Sequence, residues 1–245
     1  INLGVLYLDK GLFEKSEFLF REALSMSEEI GLRLYECISL TNLGDIMYER
    51  NHYSRANEYY KRSETVAREI NAPVEEGINL LGAARVKFKR GKYEGIEELL
   101  NNALRIFSES DEIMYLCDYY IIRAKYEMAL GNSAKALEAS ETAVEMSKEC
   151  RSEKKRLKAL RSKGWIMLNR GEAQIAVNLF DNAARLSIGI ESDYEAAKSY
   201  FGMFKSLEAQ ERLAQKVGKS FPKREYNHEN HDEAIREKVW KETYD

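Results

Sequence analysis

The amino-acid sequence predicts an all-α chain, a superhelical solenoid of antiparallel helix hairpins, and three observations carry that reading. The first is a period: Gly11, Asn51, Gly91, Gly131 and Gly171 stand forty residues apart, in phrases of one kind. The second is a set of small residues that keeps phase with it. The third is composition, with two prolines and fourteen glycines in 245 residues, 44% hydrophobic and 32% charged. That mixture suits continuous helices with a buried side and a solvated one, and starves a β-rich fold of turn residues.

Each unit reads as one hairpin. The phrases YLDKGLF, YERNHYS, FKRGKYE, MALGNSA and LNRGEAQ mark its inner turn, where Gly or Asn takes the left-handed conformation that ends a helix. Seven residues earlier stand Gly4, Gly44, Ala84, Ala124 and Gly164, and five residues later Ser16, Ala56, Ile96, Ala136 and Ala176. Twelve residues later come Ala23, Ser63, Ala103, Ala143 and Ala183. These side chains, all small except Ile96, let antiparallel helices approach closely. Phe20, Tyr60, Leu100, Ser140 and Phe180, nine residues after the turn, are mostly bulky and fill the gap to the next helix.

A second break recurs at Gly31, Asn71-Ala72-Pro73, Asp111 and Arg151-Ser152. Pro73 suits the first turn of a helix, while Asp111 and Ser152 are expected to cap orphan amides. The units are then about 1–31, 32–71, 72–111, 112–151 and 152–191, each with two helices of roughly 13–18 residues. A sixth first helix follows over 193–217, which closes a repeat region at 1–217. Beyond it Lys216, Ser220 and Lys223 break the phase. Residues 218–245 read as a polar linker around Pro222 and a short terminal helix over 232–243, with Ile235, Val239 and Trp240 on one side. One hairpin cannot bury both faces, so the units must stack. The pattern is already under way at Ile1, which reads as the start of a fragment or of a processed product.

These columns resemble the tetratricopeptide repeat, and NLGVLY and NLGDIMY carry its Leu-Gly-x-x-Tyr signature almost intact; the resemblance implies a right-handed superhelical solenoid of antiparallel helix hairpins. The resemblance covers about residues 1–210 and thins later, where Arg123 and Lys163 replace the family's Leu and Ser140 its aromatic. A forty-residue unit exceeds the usual repeat of about 34. The added residues are expected to lengthen the second helix and its exit, as in long-repeat variants of bacterial signalling regulators. A HEAT array, with a period of about 40–47, fits the length but lacks this phasing.

Charge and motifs narrow the function. A formal charge of -3 implies no pull toward nucleic acid or anionic membrane, and no basic stripe or long apolar run appears. Cys37, Cys117 and Cys150 are odd in number and widely spaced. They read as free thiols in a reducing, cytoplasmic setting. There is no phosphate loop, HExxH or nucleophile elbow. His228 and His231, with Glu229 and Asp232, have metal-like spacing but sit in a polar run that reads as solvated. The expectation is therefore a non-enzymatic chain without cofactor, which holds another protein or peptide. No oligomeric state is implied.

The resemblance implies that each first helix lines a concave groove at its second, fifth, ninth and twelfth positions. Here these are Ile38, Thr41, Asp45 and Tyr48; Ile78, Leu81, Arg85 and Phe88; Asp118, Ile121, Lys125 and Met128; and Lys158, Arg161, Trp165 and Leu168. Lys198, Phe201 and Lys205 continue the series, and Asn2 and Asn42 adjoin it as donors for a peptide backbone. The peptide-binding candidates are Asn42, Asp45, Tyr48, Arg85, Phe88, Lys125, Lys158, Arg161 and Trp165. Charge along them turns from acidic at Asp45 to basic at Arg85, Lys125, Lys158 and Arg161. An acidic segment is the expected occupant, anchored on Phe88 and Trp165. The family's carboxylate clamp for chaperone tails is not implied, since Thr41 and Asp45 stand where clamp residues belong. A regulatory arm of a larger signalling protein is the alternative role.

Overall fold

The computed structural model describes residues 1–216, and the terminal linker, the 232–243 helix and the His228–His231 pair lie outside them. Its eleven helices are α1 (Asn2–Asp9), α2 (Phe13–Glu29), α3 (Arg33–Glu49), α4 (Tyr53–Glu69), α5 (Pro73–Lys89), α6 (Ile96–Glu109), α7 (Ile113–Ala129), α8 (Ser133–Glu149), α9 (Glu153–Asn169), α10 (Ala173–Gly189) and α11 (Asp193–Lys216). Consecutive helices pack as antiparallel pairs. From α3 onward each odd-numbered helix also packs on the next odd-numbered one. The odd helices thus form the inner layer and the even helices the outer.

Most helices run 17 residues and most turns three, so the forty-residue unit divides equally between its two helices. The added length is not peculiar to the second helix, contrary to the expectation from sequence. The middle residue of each three-residue turn is left-handed: φ is 74° at Gly11, 60° at Asn51, 54° at Asn71 and 81° at Gly131. In the first turn Leu12 N–H donates to the Tyr7 carbonyl at 2.8 Å and Gly11 N–H to that of Leu8 at 3.0 Å. This pairing satisfies carbonyls that the helix end would otherwise orphan. Asp111 takes the same left-handed place, with φ of 54°, and caps nothing with its side chain. Ser152 does cap, its Oγ accepting from Lys155 N–H at 3.3 Å.

The stack is held by a recurring wedge. Tyr60 and Phe180 are 1% and 0% exposed, and each ring lies against glycines of two successive inner helices. A Cβ at Gly44 or Gly82 would fall 2.6 or 2.7 Å from the Tyr60 ring; one at Gly164 or Gly202 would fall 2.9 or 2.3 Å from Phe180. The absent side chains are the seats of the rings. Ser140 fills no such seat, and the core of its unit instead contains Ala124, Ala136, Ala139 and Ile166, with Tyr120, Met128 and Leu137 against them. Arg123 and Lys163, which replace the family's Leu, are accommodated by ion pairs to Glu127 at 2.6 Å and Glu141 at 3.0 Å.

The turn inside the third unit departs from the others. α6 begins only at Ile96, after Gly95 at φ 73°, and Lys87 Nζ donates to the Glu94 carbonyl at 2.8 Å. Ile96 is fully buried in the slot where the other units carry Ser or Ala, and it is here that the outer helix loses its first turn. Cys37 and Cys117 are buried free thiols. Burial holds both in the protonated form, pushing Cys117 up to about 12.

The wedge predicts opposite signs for one substitution at different glycines. Ala in a helix interior gains up to about 1 kcal/mol over Gly, whereas overpacking a core costs about 1–3 kcal/mol. Gly44→Ala and Gly82→Ala press on a ring whose hydroxyl is tied to Asp45, so both should lower stability in urea melts. Gly189→Ala meets nothing within 4 Å and should raise it slightly.

Candidate functional site

Because the inner helices repeat in register, residues forty apart run across the wall in columns. Asp45, Arg85, Lys125 and Trp165 form one column, on α3, α5, α7 and α9. Much of the wall's charge is satisfied within the chain. Arg85 donates to Asp45 at 3.0 Å and lies 3.6 Å from Glu49. Its guanidinium also sits 4.1 Å over the Tyr48 ring. Asp45 accepts a second hydrogen bond, at 2.7 Å, from Tyr60 Oη. Asn42 Nδ2 is committed to the Ile38 carbonyl of its own helix at 2.8 Å. Arg161 stands 2.5 Å from Glu195 Oε2 and donates to the Glu195 carbonyl at 3.0 Å.

Phe88 is half-buried against the α5–α7 core, with Tyr93 6.0 Å away. Trp165 is half-buried too, edge-on to Phe180 at 5.2 Å. A cleft of about 570 Å³ opens beside it, lined also by Leu168, Phe201, Lys205 and Arg212. Lys125 and Lys158 differ from the other candidates. Together with Lys89 on α5 they form no hydrogen bond or ion pair among the described residues, whereas Lys155, Lys198 and Lys205 are paired with Asp118, Glu49 and Glu208. The expected basic half of the groove therefore contracts to three lysines on three successive inner helices.

The structure also joins the two ends of the described chain. Ser192 Oγ donates to the Asp9 carbonyl at 2.6 Å, Tyr194 Oη to Glu49 at 2.6 Å, and Lys198 Nζ to the same carboxylate at 2.7 Å. Lys154 pairs with Asp9, Lys10 lies 3.3 Å from Glu191, and Phe13 meets Tyr194 edge-on at 5.1 Å. The superhelix thus completes a turn, and its later units sit on the turn between α1 and α2 and on the end of α3. Asp9, Glu49, Lys154, Ser192 and Tyr194 were not singled out in the sequence. Their columns carry a weak trace, with acids at 9 and 49 and a base at 154, but using it requires the number of units per superhelical turn.

Glu49 is the node of this closure. Burial disfavours its charge, but Lys198 and Arg85 outweigh burial and hold the carboxyl well below its ordinary range. Burial likewise opposes Glu195, while Lys198 and Arg161 bring it down to about 2. A carboxyl depressed on folding adds stability above its unfolded value of about 4.3 and loses it as pH falls through the folded one. Glu49→Gln should therefore lower the thermal midpoint at neutral pH and flatten its decline below about pH 4, as read by circular dichroism across that range. Among the described residues no helix is long and apolar enough to cross a membrane, and no group of His, Cys, Asp and Glu is placed to hold a metal ion.

Comparison with known proteins bears on the fold. A family model described as Tetratricopeptide repeat matches residues 1–69, and no curated protein matches the chain. Among solved structures, the chain is similar to a Rap protein complexed with competence and sporulation factor, at 17% identity and a TM-score of 0.65, over 87% of this chain and 66% of that one. It is similar to a signal-transduction ATPase with numerous domains (STAND) and a tetratricopeptide repeat sensor from Pyrococcus horikoshii, at 16% identity and 0.57, over 89% and 35%. It is also similar to BtubC from P. vanneervenii, at 13% identity and 0.55, over 92% and 97%. The chain thus spans less than two thirds of the length of the first two. The period, the glycine seats and the shared fold make the described chain an all-helical solenoid of tetratricopeptide-like architecture, similar in sequence to the tetratricopeptide repeat over residues 1–69.

Proposed function

We propose that this chain is a non-catalytic binding scaffold whose inner wall receives an acidic segment of another protein or a peptide. The observation that carries the reading is the set of three lysines that form no ion pair among the described residues, Lys89, Lys125 and Lys158, on a wall whose other cations are largely paired. Trp165 and its cleft supply an apolar anchor beside them. Arg85 and Arg161, expected to read the ligand, hold carboxylates of their own, and the role passes to Lys125 and Lys158. Helices already stacked lose little freedom on binding, which favours affinity from few contacts. The Rap structure, in complex with competence and sporulation factor, lends support as a solenoid of like fold captured with a bound factor.

A second reading makes the chain the sensory arm of a larger signalling protein. What favours it is the match to a STAND protein with a tetratricopeptide repeat sensor, of which this chain spans 35%. The two readings share a binding wall and differ in whether occupancy alters a linked activity.

The test is anisotropy with fluorescein-labelled hexaglutamate at low and high salt. Binding should weaken as salt rises, and the Lys125→Glu/Lys158→Glu double variant should lose about tenfold or more in affinity with a shallower salt dependence. Unchanged affinity and salt slope in that variant would remove the acidic-segment reading.

A further inference from the structure

The last described helix does not keep the register of the others. Inner helices α3, α5, α7 and α9 end at Glu49, Lys89, Ala129 and Asn169, whereas α11 runs on past the matching place to Lys216. The extension carries Arg212 and Leu213 along the cleft beside Trp165, and Leu213 is left 60% exposed. Phe204 marks the same departure. It stands in the column of Gly4, Gly44 and Gly164, whose missing side chains seat the ring of the following outer helix. A phenylalanine there, 55% exposed, leaves no such seat, and the sixth unit cannot close as the earlier ones do.

The cleft of about 570 Å³ is lined on its apolar side by Trp165, Leu168, Phe201, Ala209 and Leu213. The Trp165 ring is held by Phe180 at 5.2 Å and Phe201 at 6.2 Å. The rim is charged, with Glu208 paired both to Lys205, at 3.1 Å, and to Arg212, at 2.5 Å. One carboxylate shared between two cations leaves that rim net positive. Ligand pockets run to about 300–1,000 Å³, so the cleft has room for an indole and the side chains beside it.

We infer that this cleft is filled by the chain's own residues 232–245, anchored on Trp240, so that the protein carries an internal competitor for the apolar end of its wall. The inference deepens the acidic-segment reading, whose anchor it occupies. Residues 232–245 have the chemistry that the wall is argued to select. Trp240 stands with Ile235 and Val239 at helical spacing, and the acids Asp232, Glu233, Glu237, Glu242 and Asp245 outnumber the bases Arg236, Lys238 and Lys241. A net negative segment thus meets a net positive rim. Reach is ample, since about 15 residues, 217–231, separate the segment from α11 and can span up to about 50 Å, while Leu213 lies within one turn of the helix end. A tether of this length holds its end at about millimolar concentration, so a contact of only about 0.1 mM affinity is about nine-tenths filled.

The experiment uses the whole chain labelled with fluorotryptophan, whose two tryptophans are Trp165 and Trp240, with Trp240→Phe assigning the fluorine signals. The Trp240 signal should lie away from that of an exposed indole. It should move to the exposed position in Leu213→Arg, with far-UV circular dichroism unchanged. A fluorescein-labelled peptide of residues 232–245 should bind the Trp240→Ala chain about tenfold tighter than the wild-type chain, because the cleft is no longer filled from within. Adding Leu213→Arg to Trp240→Ala should abolish that gain. A Trp240 signal already at the exposed position, or equal peptide affinity for the two chains, overturns the inference. A Trp240 shift that grows with chain concentration assigns the occupant to a second copy and overturns it as well. None of these readouts involves hexaglutamate or the Lys125→Glu/Lys158→Glu variant, so the acidic-segment reading stands or falls separately.

Discussion

The rest of the structure depends on an aromatic ring seated against two glycines. In the second unit Tyr60 fills the place that side chains at Gly44 and Gly82 would otherwise take, and in the fifth Phe180 does the same with Gly164 and Gly202. Each ring belongs to an outer helix and touches two successive inner helices, which makes it the piece that sets one hairpin against the next. Close packing of this kind leaves little room for adjustment. The relative rotation of neighbouring units, and with it the curvature of the inner wall, therefore follows from where these rings sit.

Curvature has an electrostatic consequence. Bending the inner helices toward one another gathers their charges on a concave wall, where like charges repel more strongly than on an open surface. The chain neutralises much of this internally through Arg85 with Asp45 and Glu49, Arg161 with Glu195, and Lys198 with Glu49. Tyr60 ties the two levels together, since the ring that spaces the helices also donates its hydroxyl to Asp45. Among the described residues Lys89, Lys125 and Lys158 form no ion pair, although Lys158 lies in the field of Asp118 and Glu195. A wall otherwise paired makes a few unpaired charges conspicuous to an incoming anion, because the neighbours are already occupied.

The same curvature brings the later units back onto the first. Glu49 then serves two arrangements at once, receiving Arg85 from the adjacent helix and Lys198 and Tyr194 from a later turn. The wall of the proposed site and the contact between turns thus share a carboxylate. Any ligand that displaces charge near Arg85 or Arg161 acts on residues bound to that contact.

The sequence by itself determined the all-helical class, the forty-residue period, the left-handed turns and the small and bulky columns, because these follow from local backbone preference and from side-chain size at fixed spacing. Even so Asp111, read as a side-chain cap, serves as the left-handed turn residue, since the turn geometry claims that position first. The positions expected to face inward were legible only through the tetratricopeptide resemblance, and two of them, Leu81 and Ile121, are buried in the core. Which of their charges are free was not legible, for pairing depends on partners one helix away, as with Arg161 and Glu195, separated by 34 residues. The closure was further from reach. Asp9 and Ser192 are 183 residues apart, and they meet only because small rotations between units accumulate into a full turn. No single repeat contains that sum, and only the tertiary structure carries it out.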